Sequence, residues 1–372
     1  GMTGLSRCCS CASLLSDYGI ELLWFDSMGA KSSSLAVSTS EGLLVIDPGA
    51  AAMQPSYPLD DSRKIALRMK AVERIEDYIA KASAVIITHY HYDHHLRIGD
   101  PHLRLSPNPY SGKLIIMKNP NTYINASQWG RARELIRDLA LVSGAKFEDL
   151  LMEPEARTFR DPVPDLKEAN SRDWGTYLRR REELLGKGRG WFLKLAEGLW
   201  GREAWVREAE LPDGTRLVWG DGRSFTFGDV KVRVFPPWFH GVEYDRTGWV
   251  TPVLIDLPGV RIMYSSDLMG PAIEDYASRI IAEKPDILIL DGPPTYLFPY
   301  MLNRVNLRRA VENAARIIRE CRPELIIYDH HLLRERRWRE RVREVLKAAS
   351  DEGVELLTAA ECLGGKPLID TL

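Results

Sequence analysis

Long apolar runs are missing from this sequence. No stretch approaches the roughly 18 residues of a membrane-spanning helix, so no membrane association is expected. An excess of one charge is missing too: 50 Lys and Arg face 52 Asp and Glu, a formal net charge of −2. A generic polyanion binder shows a basic excess, so the balance weighs against a nucleic-acid footprint and leaves nucleic acid open only as a local partner. Cysteine is scarce. There are five (Cys8, Cys9, Cys11, Cys321 and Cys362), an odd number with three crowded near the start. That is no disulfide framework, and it predicts a reducing, cytoplasmic location. No repeat of solenoid period is found.

What is present is ordinary for a folded chain. The 372 residues are 45% hydrophobic and 27% charged, enough for a sizeable core in one large domain or two smaller ones. Gly1 before Met2 reads as a cloning remnant, and the next residues hold no apolar core suited to a secretory signal. Cys8-Cys9-Ser10-Cys11 could bind a soft metal, but no second pair nearby completes four ligands. Residues 1–17 are therefore read as a frayed N-terminal extension with incidental thiols.

From residue 18 onward strands and helices alternate, the sign of an α/β layer architecture. Strands are predicted at 20–25, 34–38, 43–46 and 84–87, and again at 217–219, 230–235, 250–256, 261–264, 287–290 and 325–328. A helix over 62–81 places Ile65, Met69, Val72, Ile75 and Ile79 on one face. Others are predicted over 272–282, 307–321 and 332–348. Residues from about 130 to 210 differ: they read as helical, hold 16 basic and 16 acidic side chains from Arg131 to Glu210, and are rich in tryptophan. They are expected to be a helical insertion on the sheet core, either a lid, a contact between copies of the chain, or a solvated elaboration without a role in chemistry.

The eight histidines are placed far from evenly. His89-Tyr90-His91-Tyr92-Asp93-His94-His95 follows a predicted buried strand. Four imidazoles and a carboxylate in seven residues cannot all be satisfied by burial, because each neutral ring needs a partner and a charged cluster repels itself. A divalent metal resolves both problems. In extended backbone, residues i and i+2 point the same way, so His89 and His91 can grip one ion, while Asp93 and His94 suit a second. His240, Asp267, His330 and His331 each follow a predicted strand, where functional residues gather at one sheet edge. Tyr90 and Tyr92 are expected to alternate into the core, and His102 to lie in a loop.

The H-x-H-x-D-H pattern of His89, His91, Asp93 and His94 resembles the signature of the metallo-β-lactamase superfamily. Asp47 after an early strand, and then His240, Asp267 and His330 beyond the signature, stand in the superfamily's order. Finer features, among them Ser266-Asp267-Leu268-Met269-Gly270-Pro271 and Asp329-His330-His331-Leu332-Leu333-Arg334, look like an uncharacterised, mainly archaeal branch of predicted hydrolases. The resemblance implies an αββα sandwich over residues 18–372, two mixed sheets with helices outside, interrupted by the insertion. It implies two divalent ions, zinc by default with iron or manganese as alternatives. The first would take His89, His91 and His240, the second Asp93, His94 and His330, with Asp267 bridging. His331 competes with His330, which is preferred as nearer the strand end. Asp47 would hold the histidine loop without binding metal. His95 would tune the cluster or make a structural hydrogen bond, and Asp291 and Asp329 would hydrogen-bond ligand imidazoles.

Two such ions, about 3.5–4 Å apart, bring a shared water towards a pKa of about 7. The bridging hydroxide would be the nucleophile, Asp93 its orienting group and Asp267 its companion catalytic carboxylate. His91 favours hydrolysis, since diiron relatives commonly carry Glu there. The first expectation for substrate is a phosphoester or phosphodiester, because arginines cluster after the last histidine motif and arginine suits phosphate. Glu335, Glu340 and Glu344 interleave with most of that run, so only Arg334 is singled out. The alternative is a small carboxyl ester, lactone or thioester. A non-catalytic metal-binding module ranks last.

Overall fold

The computed structural model describes residues 5–372, with side chains from Cys11 onward. β1 (Ile20–Phe25), β2 (Ser33–Thr39), β3 (Gly42–Ile46), β4 (Ala82–Ile87) and β5 (Leu114–Met117) lie side by side in one mixed sheet. After a two-stranded ribbon of β6 (Leu151–Met152) and β7 (Trp205–Val206), β8 (Ala209–Glu210) and β9 (Arg216–Trp219) complete it in the order β1-β2-β3-β4-β5-β9-β8. The second sheet runs β10 (Ser224–Phe227), β11 (Val230–Val234), β14 (Val253–Leu257), β15 (Val260–Tyr264), β16 (Ile287–Asp291), β17 (Leu325–Asp329) and β18 (Glu355–Leu357). A short ribbon, β12 (Trp238–Phe239) with β13 (Trp249–Val250), interrupts it.

Period-two alternation divides the apolar residues between two layers. Ala84 and Ile86 of β4 point into a shared core with Ile262, Ile289 and Ile327 of the other sheet, so the sheets pack face to face. Val85 and Ile87 point the other way and join Val72, Ile75 and Ile79 of α2 (Asp61–Lys81). On the second sheet Leu288 and Leu290 turn outward towards Ala314, Ile317 and Ile318. Each fully buried isoleucine of this kind contributes about 1.5–3 kcal/mol. The layers are those of an αββα sandwich.

Helices cover the outer faces and the ends: α1 (Leu5–Asp17), α2, α3 (Ala126–Ser143), α4 (Lys167–Ser171), α5 (Leu178–Leu195), α6 (Glu274–Glu283), α7 (Arg304–Cys321), α8 (Trp338–Arg341), α9 (Arg343–Glu352) and α10 (Ala359–Cys362). Among the described residues no helix is long and apolar enough to cross a membrane.

Several expectations need correction. Ile65 and Met69 are 46% and 49% exposed. The first turns of α2 instead bury Lys64, whose Nζ donates to the Gln54 carbonyl at 3.0 Å, and a residue one step further lies about 100° round the helix. The single helix predicted over 332–348 is broken into a 3₁₀ turn over His330–Arg334 followed by α8 and α9, because residues 330–334 are buried at the sheet edge. The 1–17 extension is no frayed tail over its described part: α1 packs on the body, burying Cys11 and Leu15. Cys11 forms a disulfide with Cys362 of α10, 351 residues away. For Cys11 the reading of an incidental thiol is therefore overturned. Gly1 and the side chains of Cys8 and Cys9 lie outside the described residues.

The charge-balanced segment is helical in α3, α4 and α5, and it is fastened by a buried ion network. Arg181 of α5 pairs with Glu243, and Arg309 Nη2 of α7 lies 2.9 Å from Glu243 and 2.8 Å from Glu274. Burial alone would raise the Glu243 carboxyl, but Arg309 and Arg181 outweigh it and hold its pKa below the usual 4.5. A depressed carboxylate stabilises the fold fully above its unfolded pKa and loses that contribution as pH falls through the folded value. Hydrogen exchange in α5 is therefore expected to accelerate as pH drops below about 4.5, after correction for intrinsic rates. Glu243→Gln is expected to abolish that dependence, and a profile unchanged by the substitution would refute the assignment.

Candidate metal site

The site forms where strand ends from both sheets converge. β3 and β4 are parallel, as are β15, β16 and β17, and the residues that follow them meet at one edge. β3 ends in Asp47, β4 runs into Thr88 and His89, β15 into Ser265-Ser266-Asp267, and β17 into His330 and His331. Thr88 Oγ1 contacts Ser266 Oγ at 2.7 Å, and Tyr264 donates to Asp47 Oδ2 at 2.7 Å, locking the two edges together. Asp47, Ser266 and His330 hold left-handed backbone, with φ of 48°, 54° and 61°. Such conformations are costly away from glycine and persist only where packing overdetermines them. Gly49 backs the histidine loop: a Cβ there would stand 2.3 Å from the His95 nitrogen.

Asp267 is the centre of the cluster. Its Oδ2 lies 3.2 Å from His89 Nε2 and 3.2 Å from His240 Nε2. Its Oδ1 lies 3.0 Å from both His94 Nε2 and His330 Nε2. Donor atoms of His89, His91, His240 and Asp267 lie within 4.8 Å of one another, and so do those of Asp93, His94, Asp267 and His330. Asp93 Oδ2 is 3.6 Å from the Nε2 of both His94 and His330.

These groups lack partners of their own. His89 Nε2, both ring nitrogens of His240 and Asp267 Oδ1 are buried without a hydrogen bond, a state that buried polar atoms rarely occupy. Burial pushes His89 down to about 4 and holds His91 well below 6.5, so both rings are neutral at pH 7 and offer lone pairs. Around His94 and His330 the carboxylates of Asp267, Asp93, Asp47 and Asp26 outweigh burial and favour positive charge. Yet the two Nε2 atoms face each other at 3.1 Å, where two N–H groups would collide. A divalent cation supplies the charge and accepts both lone pairs. The donor set therefore fits metal, and it fits a metal-dependent hydrolase.

No family model matches the chain. A UPF0282 protein of Korarchaeum cryptofilum is 30% identical over 344 residues, covering 92% of this chain and 88% of that one. The chain belongs to the UPF0282 family. Another UPF0282 protein, from Pyrococcus furiosus, is 30% identical over 348 residues, covering 91% of this chain and 85% of the other. The solved structures that align are metallo-β-lactamase-fold proteins. YhfI of Bacillus subtilis aligns at 12% identity over 91% of this chain and 95% of its own, with a TM-score of 0.41. Human tRNase Z, short form, aligns at 14% over 84% and 92%, with a TM-score of 0.32.

In this UPF0282 chain the supporting residues are distributed differently from expectation. Asp47 does hold the histidine loop: it accepts from Thr88 N at 2.8 Å and Thr88 Oγ1 at 2.6 Å, and its Oδ2 is 2.8 Å from His94 Nδ1. Asp291 hydrogen-bonds His331 Nδ1, at 2.8 Å and 2.9 Å from its two oxygens. Asp329 touches no imidazole, contrary to expectation. It accepts from the backbone nitrogens of Ser27, Ala359 and His330, because its carboxylate caps the turn that His330 opens. The group that orients His330 is Asp26, 2.6 Å from Nδ1, which sequence reasoning missed. Its one signal was position, directly after β1, as Asp47 follows β3. Gln128 of α3 was missed too; its Oε1 accepts from Tyr90 N at 2.9 Å and pins the loop.

His95 makes the structural contact, Nδ1 to the His91 carbonyl at 3.2 Å. Tyr90 is buried as expected, but Tyr92 is not in the core. It lies beneath the guanidinium groups of Arg131 and Arg97 and lines the cavity. That cavity, about 440 Å³, is bounded by His91, Asp93, His240, Asp267, His331 and Arg334, with Lys31 and Arg131 beside them. A larger one of about 630 Å³, lined by residues of α7, α8 and α9, contains no histidine.

Proposed function

We propose that this chain is a metal-dependent hydrolase that cleaves phosphoesters at a dinuclear centre. The observation that carries the proposal is the division of Asp267, one oxygen facing each histidine group. His89, His91 and His240 would hold one ion, Asp93, His94 and His330 the other, and Asp267 both. Zinc suits this donor set, as do iron and manganese. Bound there, the ions supply Lewis acidity and activate water at neutral pH.

The chain's own groups do the rest. Asp93 lines the cavity and orients the attacking water. Arg334 and Lys31 receive the non-bridging oxygens, since guanidinium and ammonium suit the phosphoryl anion. His331, steadied by Asp291, lines the same cavity and holds a proton at Nε2 for the leaving oxygen. The water oxygen bonds to phosphorus, the ester P–O bond breaks, and the departing alkoxide takes that proton while the water's proton passes to solvent. The cations beside the cluster favour a phosphoryl group over a neutral lactone or thioester.

The test is a panel of aryl phosphodiesters, nucleotides and short RNA, assayed with metal-loaded protein and with protein stripped by chelator. Turnover on at least one phosphoester, lost on stripping and regained on adding metal, is expected. Turnover confined to lactones or thioesters would replace the reading.

A further inference from the structure

The cavity beside the metal cluster has two chemically different walls, and together they describe a ligand. Arg334 is 4% exposed. Its Nε donates to Asp26 at 2.7 Å and its Nη1 to the Tyr296 hydroxyl at 3.2 Å. Nη2 remains buried without a hydrogen-bond partner, 3.6 Å from Asp93 Oδ2. A buried, charged donor left unpaired is costly, and its orientation is already fixed by the other two nitrogens. It is a donor prepared for an anionic oxygen at the cluster. Lys31 lines the same cavity. The nearby carboxylate of Asp245 is already engaged by Thr247, through its nitrogen at 3.0 Å and its hydroxyl at 2.6 Å.

The other wall comes from the loops after β15 and β16. Met269, Pro294, Leu297, Met301 and Leu302 line it. Apart from Asp267 at the cluster itself, Tyr296 is the polar side chain these loops give the cavity, and its hydroxyl is turned to Arg334. Asn306, the next amide, has its oxygen 3.2 Å from Arg309 Nη1. This wall offers little to a sugar or a base, which would need donors and acceptors for each hydroxyl or edge. Met301 is 82% exposed and Tyr300 beside it 93% exposed, so apolar surface continues out from the cavity. Contiguous exposed apolar surface of this kind is one form that a ligand-binding groove takes.

Resting on the phosphoester reading of the site, we propose that the substrate is an amphiphilic phosphoester, its phosphoryl group beside Arg334 and Lys31 and its alcohol part an apolar chain or ring along Met269, Leu297, Met301 and Leu302. Hydrolysis adds water across the P–O bond and releases the apolar alcohol and a phosphate.

The proposal is tested by calorimetry of methylphosphonate and hexylphosphonate, which cannot be hydrolysed, binding to metal-loaded protein. Each buried methylene strengthens binding about fourfold, so hexylphosphonate is expected to bind at least about tenfold more tightly. Leu302→Asn, with Met301→Ser as a second variant at an exposed site, is expected to erase the preference and leave methylphosphonate unchanged. Arg334→Met is expected to weaken both ligands equally. Equal affinity for the two phosphonates, or a preference untouched by both wall variants, would overturn the proposal. Phosphoester turnover without an apolar preference sinks this inference alone, whereas no turnover and no phosphonate binding sinks the hydrolase reading beneath it. Co-sedimentation with phosphatidate vesicles separates a lipid headgroup from a free ester as the natural source.

Discussion

Asp267→Ala is expected to empty both halves of the metal site at once. Protein purified without added metal should carry about two ions per chain by mass spectrometry, and the variant well below one. The reason is geometric: each histidine group keeps three of its own donors, but both lose the carboxylate oxygen that they share through Asp267. The charge balance also shifts. Five buried or nearly buried imidazoles would face Asp93 as the one carboxylate left in the two four-residue groups. Any phosphoesterase activity should fall by more than about a thousandfold, since nucleophile generation and charge stabilisation are lost together. Circular dichroism is needed alongside, because the fold has to persist for the result to count. A parent protein without metal, or a variant that still holds two ions, would refute the dinuclear site.

The second large effect separates two neighbours. His330→Ala should lower the metal content by about one ion, whereas His331→Ala should leave it unchanged. His330 Nε2 stands 3.0 Å from Asp267 Oδ1 and faces His94, and Asp26 fixes its other nitrogen. His331 Nε2 is 3.9 Å from Asp267 Oδ2, and its Nδ1 is taken by Asp291. If His331 holds the proton for the leaving oxygen, its loss should slow esters of poor leaving groups by about 10²–10⁴ and activated aryl esters far less. Equal loss on both ester types, with metal lost from His331→Ala, would reverse the roles of the pair.

Much of this was legible from local pattern alone. Most strands of both sheets appeared as short apolar runs, though β5, β8, β10 and β18 were not among those predicted, and the alternation of β4 and β16 between two cores follows from a period of two. The four residues His89, His91, Asp93 and His94 could be singled out because four imidazoles and a carboxylate within seven positions have few other solutions. Asp267 could be found because it closes a strand, and Asp47 because the family resemblance implied a place for it beside the histidine loop. The chemistry of these residues lies within a few positions along the chain, so spacing carries it.

What the fold alone decided lies at longer range. Asp26 acts on His330 from 304 residues away, and nothing in the composition around Phe25-Asp26-Ser27 marks it apart from other acidic residues. Asp329 was assigned to an imidazole because it precedes His330, but the left-handed backbone at His330 turns the ring away and leaves Asp329 to the backbone nitrogens. Cys11 and Cys362 meet only because α1 and α10 pack together at the two ends of the chain. The unpartnered nitrogen of Arg334 and the apolar wall opposite the ligands likewise depend on how loops from separate strands come to rest. By itself the sequence determined the alternation of strands and helices and the candidate metal-binding residue types, because periodicity and spacing are local, while the αββα layering was what the family resemblance implied. The tertiary structure decided which carboxylate orients which ring and what shape of ligand the cavity can take, because those depend on contacts between segments hundreds of residues apart.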